Sequence, residues 1–557
     1  MKLSTWTDLD DAIKFEQAAL ALLPQHHSDS PEYLTSLANY RQLKIKRRGE
    51  TRSDCRHSTN SPTIEQLVGS IVFEVLKAFP PRLLDTYDGK LCDRDAQLSR
   101  FKNSQEYNEL VSSALTLDTL PPTTHIRSVV SAYFQYVTLS HRWGVSEPLL
   151  RDVDGQVIYD MDLTDGVSKL QSFCLACCRH GYLWAWCDAC CIDKESSAEL
   201  QEAIGSMFAW YRQSTLTMVY LADISDGPLT SSQWFKRGWT LQELLASRTL
   251  LFFTRDWTLY RSSSSNHKED SAILNELIRA TRVASRHLTD FHPGVEDARS
   301  RLQWASTRFT TRPEDMAYSL FGVFGLYLPV LYGESAENAL GRLLAEVISK
   351  SGDTLILDWV GQPSVFHSCF PATIASYQTL PSQPLLLDPL VMSNFRLIRK
   401  FFVLRPVRKM HQALSKFPLT QFSTVRLFLP CVVHHIRAIV VTRVDTSTAV
   451  HVHRILATGL EPIEIALSQP LENISRKPVP YVLIRPWHSS LLDASVMTDD
   501  VSAHRWLAKM KQPFSALLLQ ELPQNEYRRV ASFCHILARP TNSAGVLKGE
   551  VKTLVIV

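Results

Sequence analysis

Apolar positions along the chain change their period three times, and each change marks a different kind of element. Over residues 64–79, Ile64, Leu67, Val68, Ile71, Val72, Val75, Leu76 and Phe79 follow helical spacing until Pro80 and Pro81 stop the run. From Tyr136 the pattern becomes regular. Residues 136–140 read as a strand, and a helix from about Thr164 carries Val167, Leu170, Cys174 and Cys177 on one stripe. Residues 183–187 are again strand-like. Ser196 and Glu199 have the spacing of a capping box, opening a helix that turns Leu200, Ile204, Met207, Phe208 and Tyr211 one way. Residues 217–221 form a third strand, Thr240 and Glu243 a second capping box, and residues 249–253 another strand. Strands separated by connections of helical length predict parallel pairing and an open α/β sheet flanked by helices. Ligands in such sheets sit beyond the carboxyl ends of the strands. Those ends collect Ser140, His141, Arg142, Trp143 and Gly144, then Asp188 and Asp193, then Asp223.

Beyond residue 261 the chain reads as mainly helical to about residue 350. Thr311 and Glu314 give a third capping box ahead of Met316, Ala317, Leu320, Phe321 and Phe324, and Leu340, Leu343, Leu344, Val347 and Ile348 mark the core face of the next helix. After Gly361 the texture changes to prolines and short β-rich runs, at 424–429, 438–444, 481–484 and 553–557. The expected organisation is a helical lead-in over 1–120, an α/β domain over 121–260, a helical continuation over 261–361, and a β-rich domain over 362–557.

Composition narrows the function classes. A chain of 557 residues with 45% hydrophobic and 21% charged residues is that of a folded protein with several domains. A net charge of +3 gives no field to attract a polyanion, so nucleic acid is not an expected partner. No run is long and apolar enough to span a bilayer, and the first residues lack the features of a signal peptide; a cytoplasmic protein is expected. The basic residues Lys44, Lys46, Arg47 and Arg48 read as a solvated loop, and Asn473, Ile474 and Ser475 match a glycosylation acceptor without meaning in such a compartment.

Eleven cysteines are too few for a disulfide scaffold, yet six lie between Cys174 and Cys191. Their two C-x2-C pairs invite a zinc- or thiol-dependent module, but the interval between the pairs is short and the first pair falls on a helix that needs its apolar stripe. Buried packing is the expected role, and no metal ligand set is assigned. Ser140 beside His141 does not make a hydrolase pair, because neighbours on a strand point apart. There is no G-x-S-x-G elbow, no G-x-G-x-x-G fingerprint and no phosphate-binding loop with its lysine.

Four ordered blocks carry a family resemblance. Residues 136–144 (YVTLSHRWG), 183–194 (LWAWCDACCIDK), 207–211 (MFAWY) and 234–243 (WFKRGWTLQE) resemble the fungal heterokaryon incompatibility, or HET, domain. Residues 304–334 resemble the segment that commonly follows it. Together these cover residues 136–361. The chain departs from the family pattern at Trp186 and Cys187, where many relatives have a plain aliphatic strand, and at Lys194, where glutamine is frequent.

The resemblance implies non-self recognition signalling that ends in growth arrest or cell death, through protein partners or self-assembly of the domain. It also implies a TIR-like sheet, and many TIR domains either self-assemble or cleave NAD. With NAD as a substrate, the chemistry needs a carboxylate for an oxocarbenium-like ribosyl centre and an aromatic wall for a base. For that chemistry the candidates are Glu243 in the first role, Trp143 and Trp239 in the second, and Arg237 on a phosphate; the alternative is that Glu243 only caps its helix, Arg237 pairs with an acid and the tryptophans are core. Ser140, Arg142, Gly144, Asp188, Asp193 and Gln242 complete the signature positions. No cofactor is expected with certainty.

Overall fold

The computed structural model describes residues 63–117, 123–261, 264–380, 400–445, 450–467, 469–471, 479–488, 492 and 500–557. The basic residues Lys44, Lys46, Arg47 and Arg48 and the acceptor residues Asn473, Ile474 and Ser475 lie outside them, as does most of the 1–120 lead-in. The chain divides into two compact units, Met1–Ser70 and Ile71–Val557. In the first, only the opening turns of the helix Ile64–Lys77 are described.

The second unit begins with a departure from the all-helical expectation for 1–120. Strands β1 (Leu83–Asp85) and β2 (Lys90–Cys92) form a hairpin ahead of helices Arg94–Lys102, Gln105–Leu117 and Thr123–Tyr133. The hairpin adds an antiparallel edge to the sheet made by β3 (Tyr136–His141), β4 (Trp184–Trp186), β5 (Leu216–Tyr220) and β6 (Leu250–Phe253), in the order β2-β1-β4-β3-β5-β6. Three-residue strands are too short to show an alternation, which is why the pattern missed them. The last four strands are parallel to one another. Within this part the second strand lies outside the first and the later two lie on its other side, so the order reverses next to β3 and leaves a crevice at the carboxyl ends.

Both faces of the sheet are covered, which is why β3 is buried throughout. Helix α1 (Asp165–Arg179) buries Val167, Leu170, Phe173, Cys174 and Cys177, and the Thr164 side chain caps it by accepting the Val167 N–H at 3.2 Å. Gly166 lies against the loop that follows β3: a Cβ there would stand 2.0 Å from the Ser146 carbonyl oxygen. On the opposite side, Tyr136 and Tyr211 tie β3 to helix α3 (Ser197–Gln213), through Tyr136 Oη to the Trp210 carbonyl at 2.6 Å and Tyr211 Oη to the Leu139 carbonyl at 2.9 Å. Thr138, Ser214, Thr217 and Ser247 share a buried hydroxyl network, so these polar side chains keep partners inside the core. Between β4 and α3 comes the single turn α2 (Asp188–Cys191), and between β5 and β6 comes α4 (Trp239–Ala246). Every described cysteine is a free thiol, and Cys174, Cys177, Cys187, Cys190 and Cys191 are buried. Burial holds the Cys174 and Cys177 thiols well above their usual range, as expected of packing residues.

The capping boxes are only partly as expected. Ser196 does accept the Glu199 N–H at 3.3 Å, but the Glu199 carboxylate turns away to the Asp193 N–H and to Arg82. Thr240 lies inside α4 rather than ahead of it and donates to the Trp234 carbonyl at 2.6 Å, while Glu243 points into the fold. Thr311 and Glu314 form no box either: Thr311 accepts from Arg237, Glu314 accepts the Gly333 N–H, and two short turns, Asp315–Tyr318 and Phe321–Phe324, replace one helix.

The long helix Ala336–Ser351 buries the expected face. Beyond it, β7 (Gln421–Ser423), β8 (Arg426–Asp445), β9 (Val450–Ala457), β10 (Ile463–Leu467), β11 (Tyr481–Pro486), β12 (Phe514–Glu521), β13 (Glu526–Val530), β14 (Ile536–Ala538) and β15 (Glu550–Ile556) build a second sheet. There β8, β11, β12, β13 and β15 pair in a closed circuit, because β15 pairs with both β13 and β8. Residues 354–379 are gripped from both sides. Arg299 donates to the Asp358, Tyr377 and Thr379 carbonyls, and Arg529 from β13 donates to the Leu357 and Trp359 carbonyls.

Candidate functional site

At the carboxyl ends of β3 and β4 lies a cavity of about 340 Å³. His141 closes β3, Asp188 follows β4, and Arg237, Trp239 and Glu243 reach in from the segment after β5. The far wall comes from Thr311, Arg312, Asp315 and Tyr332, much later in the chain. Ile204 and Met207 of α3 supply an apolar side.

Glu243 is the most strongly perturbed carboxyl of the cavity. Its Oε2 accepts from the Ser140 hydroxyl, and Ser140 Oγ accepts in turn from Trp234 Nε1 at 3.0 Å. Burial first, and then the charge of Asp188, push Glu243 up to about 8, against the pull of Ser140, Arg237 and Arg308. Burial also raises Asp188, and burial with Lys169, Lys194 and Arg237 nearby holds His141 well below its usual range.

The aromatic residues are fixed by polar partners. Trp143 is 38% exposed at the rim, its Nε1 donating to Asp188 Oδ2 at 2.9 Å and its ring covered by the Lys194 ammonium at 5.1 Å. Trp239 Nε1 donates to Asp315 Oδ2 at 3.2 Å, which ties α4 to the far wall. Arg237 Nη1 donates to Thr311 Oγ1 at 3.0 Å, and Arg312 lies over the Tyr332 ring at 4.2 Å. Cations, aromatic faces and a carboxyl group thus converge on one cavity.

Residues 136–228 match the family model described as Heterokaryon incompatibility protein (HET). The chain is a HET-domain protein. Among curated relatives, the Vegetative incompatibility protein HET-E-1 of Podospora anserina is 41% identical over 236 residues. That match takes in 39% of this chain and 16% of the relative, so the chain spans only a small part of that protein's length. No solved structure matches the chain.

Of the signature positions read from the sequence, the fold brings Trp143, Asp188, Arg237, Trp239 and Glu243 to the cavity, the last three from beyond the residues that match the family model. Ser140 stands directly behind Glu243 as its hydrogen-bond donor. The others do different work. Asp193 accepts the Glu195 and Ser196 N–H groups and shapes the turn before α3. Gln242 is buried against Gly322, where a Cβ would come within 2.8 Å of its Oε1. Gly144 donates its N–H to Glu147 at 2.5 Å, and Arg142 is exposed and outside the lining.

Sequence reasoning gave no part in the site's chemistry to His141, Lys194, Thr311, Arg312, Asp315 or Tyr332. His141 carried a usable signal, since it closes a strand of an open α/β sheet. Residues 311–332 lay in a segment already set beside the domain by resemblance, but their convergence on it depends on long-range packing.

Proposed function

We propose that this chain is an incompatibility-type effector whose HET domain cleaves the nicotinamide–ribose bond of NAD, with growth arrest or cell death as the outcome. The observation that carries the enzymatic reading is the buried Glu243 carboxyl, oriented by Ser140 inside a cavity rimmed by Trp143, Trp239 and Arg237. The incompatibility reading is supported by the family match and by the relative named a vegetative incompatibility protein. The parallel part of the sheet, with its order reversal beside β3, supports a TIR-like fold.

In this reading the cationic nicotinamide riboside enters the cavity and favours ionised Glu243. The bond from C1′ to the pyridinium nitrogen breaks, its electron pair leaving with neutral nicotinamide. The Glu243 carboxylate stabilises the oxocarbenium-like ribosyl centre. Water then adds to C1′ and gives up a proton, leaving ADP-ribose. Arg237 faces the pyrophosphate, and Trp143 and Trp239 flank the base.

A second reading, assembly of the domain with itself or with protein partners, needs no chemistry in the cavity. Incubating the full chain with NAD separates the two. Nicotinamide release that falls at least 100-fold in Glu243→Gln, as about 3 kcal/mol of lost transition-state stabilisation would give, supports hydrolysis. No release, or release unchanged in the variant, leaves assembly as the mode of action.

A further inference from the structure

We propose that His141, Cys187 and Asp188 form a site for a divalent transition metal of the zinc class, with its open coordination position facing the cavity. One ligand atom from each residue lies within 4.8 Å of the other two. The topology explains the meeting: β3 and β4 are parallel neighbours with Thr138 opposite Trp186, so His141 at the end of one strand faces Cys187 and Asp188 just past the other.

His141 supplies the independent observation. Its side chain is 1% exposed, and among the described residues neither Nδ1 nor Nε2 has a hydrogen-bond partner. Leaving buried imidazole nitrogens unpaired is costly, and a metal bond would satisfy one of them. Nε2 stands 3.7 Å from Asp188 Oδ1 and 3.9 Å from Glu147 Oε2. Those separations are too long for hydrogen bonds and suit two ligands sharing one small ion.

The surroundings are already arranged. Trp143 Nε1 holds Asp188 Oδ2, leaving Oδ1 turned toward His141, as outer partners of metal-bound carboxylates do. Glu147 is engaged by Lys169 and by the Gly144 N–H, and Lys194 donates to the Asp188 carbonyl. A thiolate and a carboxylate offset the two charges of the ion. Sulfur, imidazole nitrogen and one carboxylate oxygen select zinc over magnesium or calcium. Three protein ligands beside a cavity leave the fourth position for water or a ligand oxygen. The set differs from a site built on the paired cysteines alone, because it takes one thiol from that cluster and two ligands from outside it. It does not rest on the NAD reading, since metal binding is measured without substrate.

The test is cobalt(II) titration of the full chain, metal-stripped and kept reduced, with zinc competition and circular dichroism to confirm folding. The expected result is one equivalent bound with a thiolate-to-cobalt charge-transfer band. Cys187→Ser should abolish the band, His141→Ala should abolish tight binding, and Cys178→Ser should change neither. Because Cys187 is in the core and its variant could unfold, Trp143→Phe at the rim gives a second reading: the band is kept and affinity falls about 10–100-fold. Failure of the folded chain to bind cobalt or zinc would overturn the proposal. So would a band that survives in folded Cys187→Ser, or an affinity unmoved by Trp143→Phe.

Discussion

Ser140 and Glu243 show how a side chain can serve the fold and the site at once. The Ser140 hydroxyl accepts from buried Trp234 and donates to Glu243. Ser140→Ala therefore strands an indole N–H in the core, and thermal or denaturant unfolding should show a loss of about 1–3 kcal/mol. Glu243 has a distinct signature in pH. Its folded-state value of about 8 lies above the ordinary 4.5, so the folded chain holds a proton that the unfolded chain releases. The stability tied to that proton is fully present below 4.5 and is lost as pH rises through about 8. Unfolding of chelator-treated chain should become easier across this window, and Glu243→Gln should flatten the slope. Equal slopes in the two proteins would mean that Glu243 is not held protonated. The spacing of Thr240 and Glu243 suggested a cap, and only the packing of α4 against β3 reveals that the carboxyl is aimed inward. A local pattern cannot tell those outcomes apart.

At the scale of elements, the strands and long helices were legible because β3, β5 and β6 are rich in aromatic, β-branched and other apolar residues and α1 and α3 carry a clear apolar stripe. The edge hairpin of β1 and β2 was not, since three residues carry no period. The far wall of the cavity was equally hidden, because Thr311, Arg312, Asp315 and Tyr332 sit on short turns whose meeting with α4 is a long-range event. The loop after β3 rests on Gly166, where backbone, not a mobile side chain, occupies the space of a Cβ. Gly166→Ala should push that loop off α1 and displace Trp143. Indole fluorescence and the melting temperature should both change, whereas Thr164→Ala should cost only about 1 kcal/mol through the lost cap.

Within the second unit, residues 354–379 are held by Arg299 of the helix Ala298–Ala305 on one side and by the β-rich sheet on the other. Arg529 donates to the Leu357 and Trp359 carbonyls and lies 3.7 Å from the Trp359 ring centre, while His535 meets Asp358 at 2.8 Å. The change in texture after Gly361 anticipated the β-rich region but not this grip, because the residues making it are scattered over more than 200 positions from Arg299 to His535. Arg529→Ala removes charged hydrogen bonds worth about 1.5–3 kcal/mol each. Calorimetry should then resolve a transition for the β-rich sheet that separates from that of the HET domain. In the function we propose, the cavity that Glu243 lines is what links this architecture to incompatibility. Growth of a susceptible fungal host expressing the full chain puts that link to the most direct test. Arrest by the unaltered chain and normal growth with equally abundant Glu243→Gln is the predicted result; arrest by both, or by neither, would contradict it.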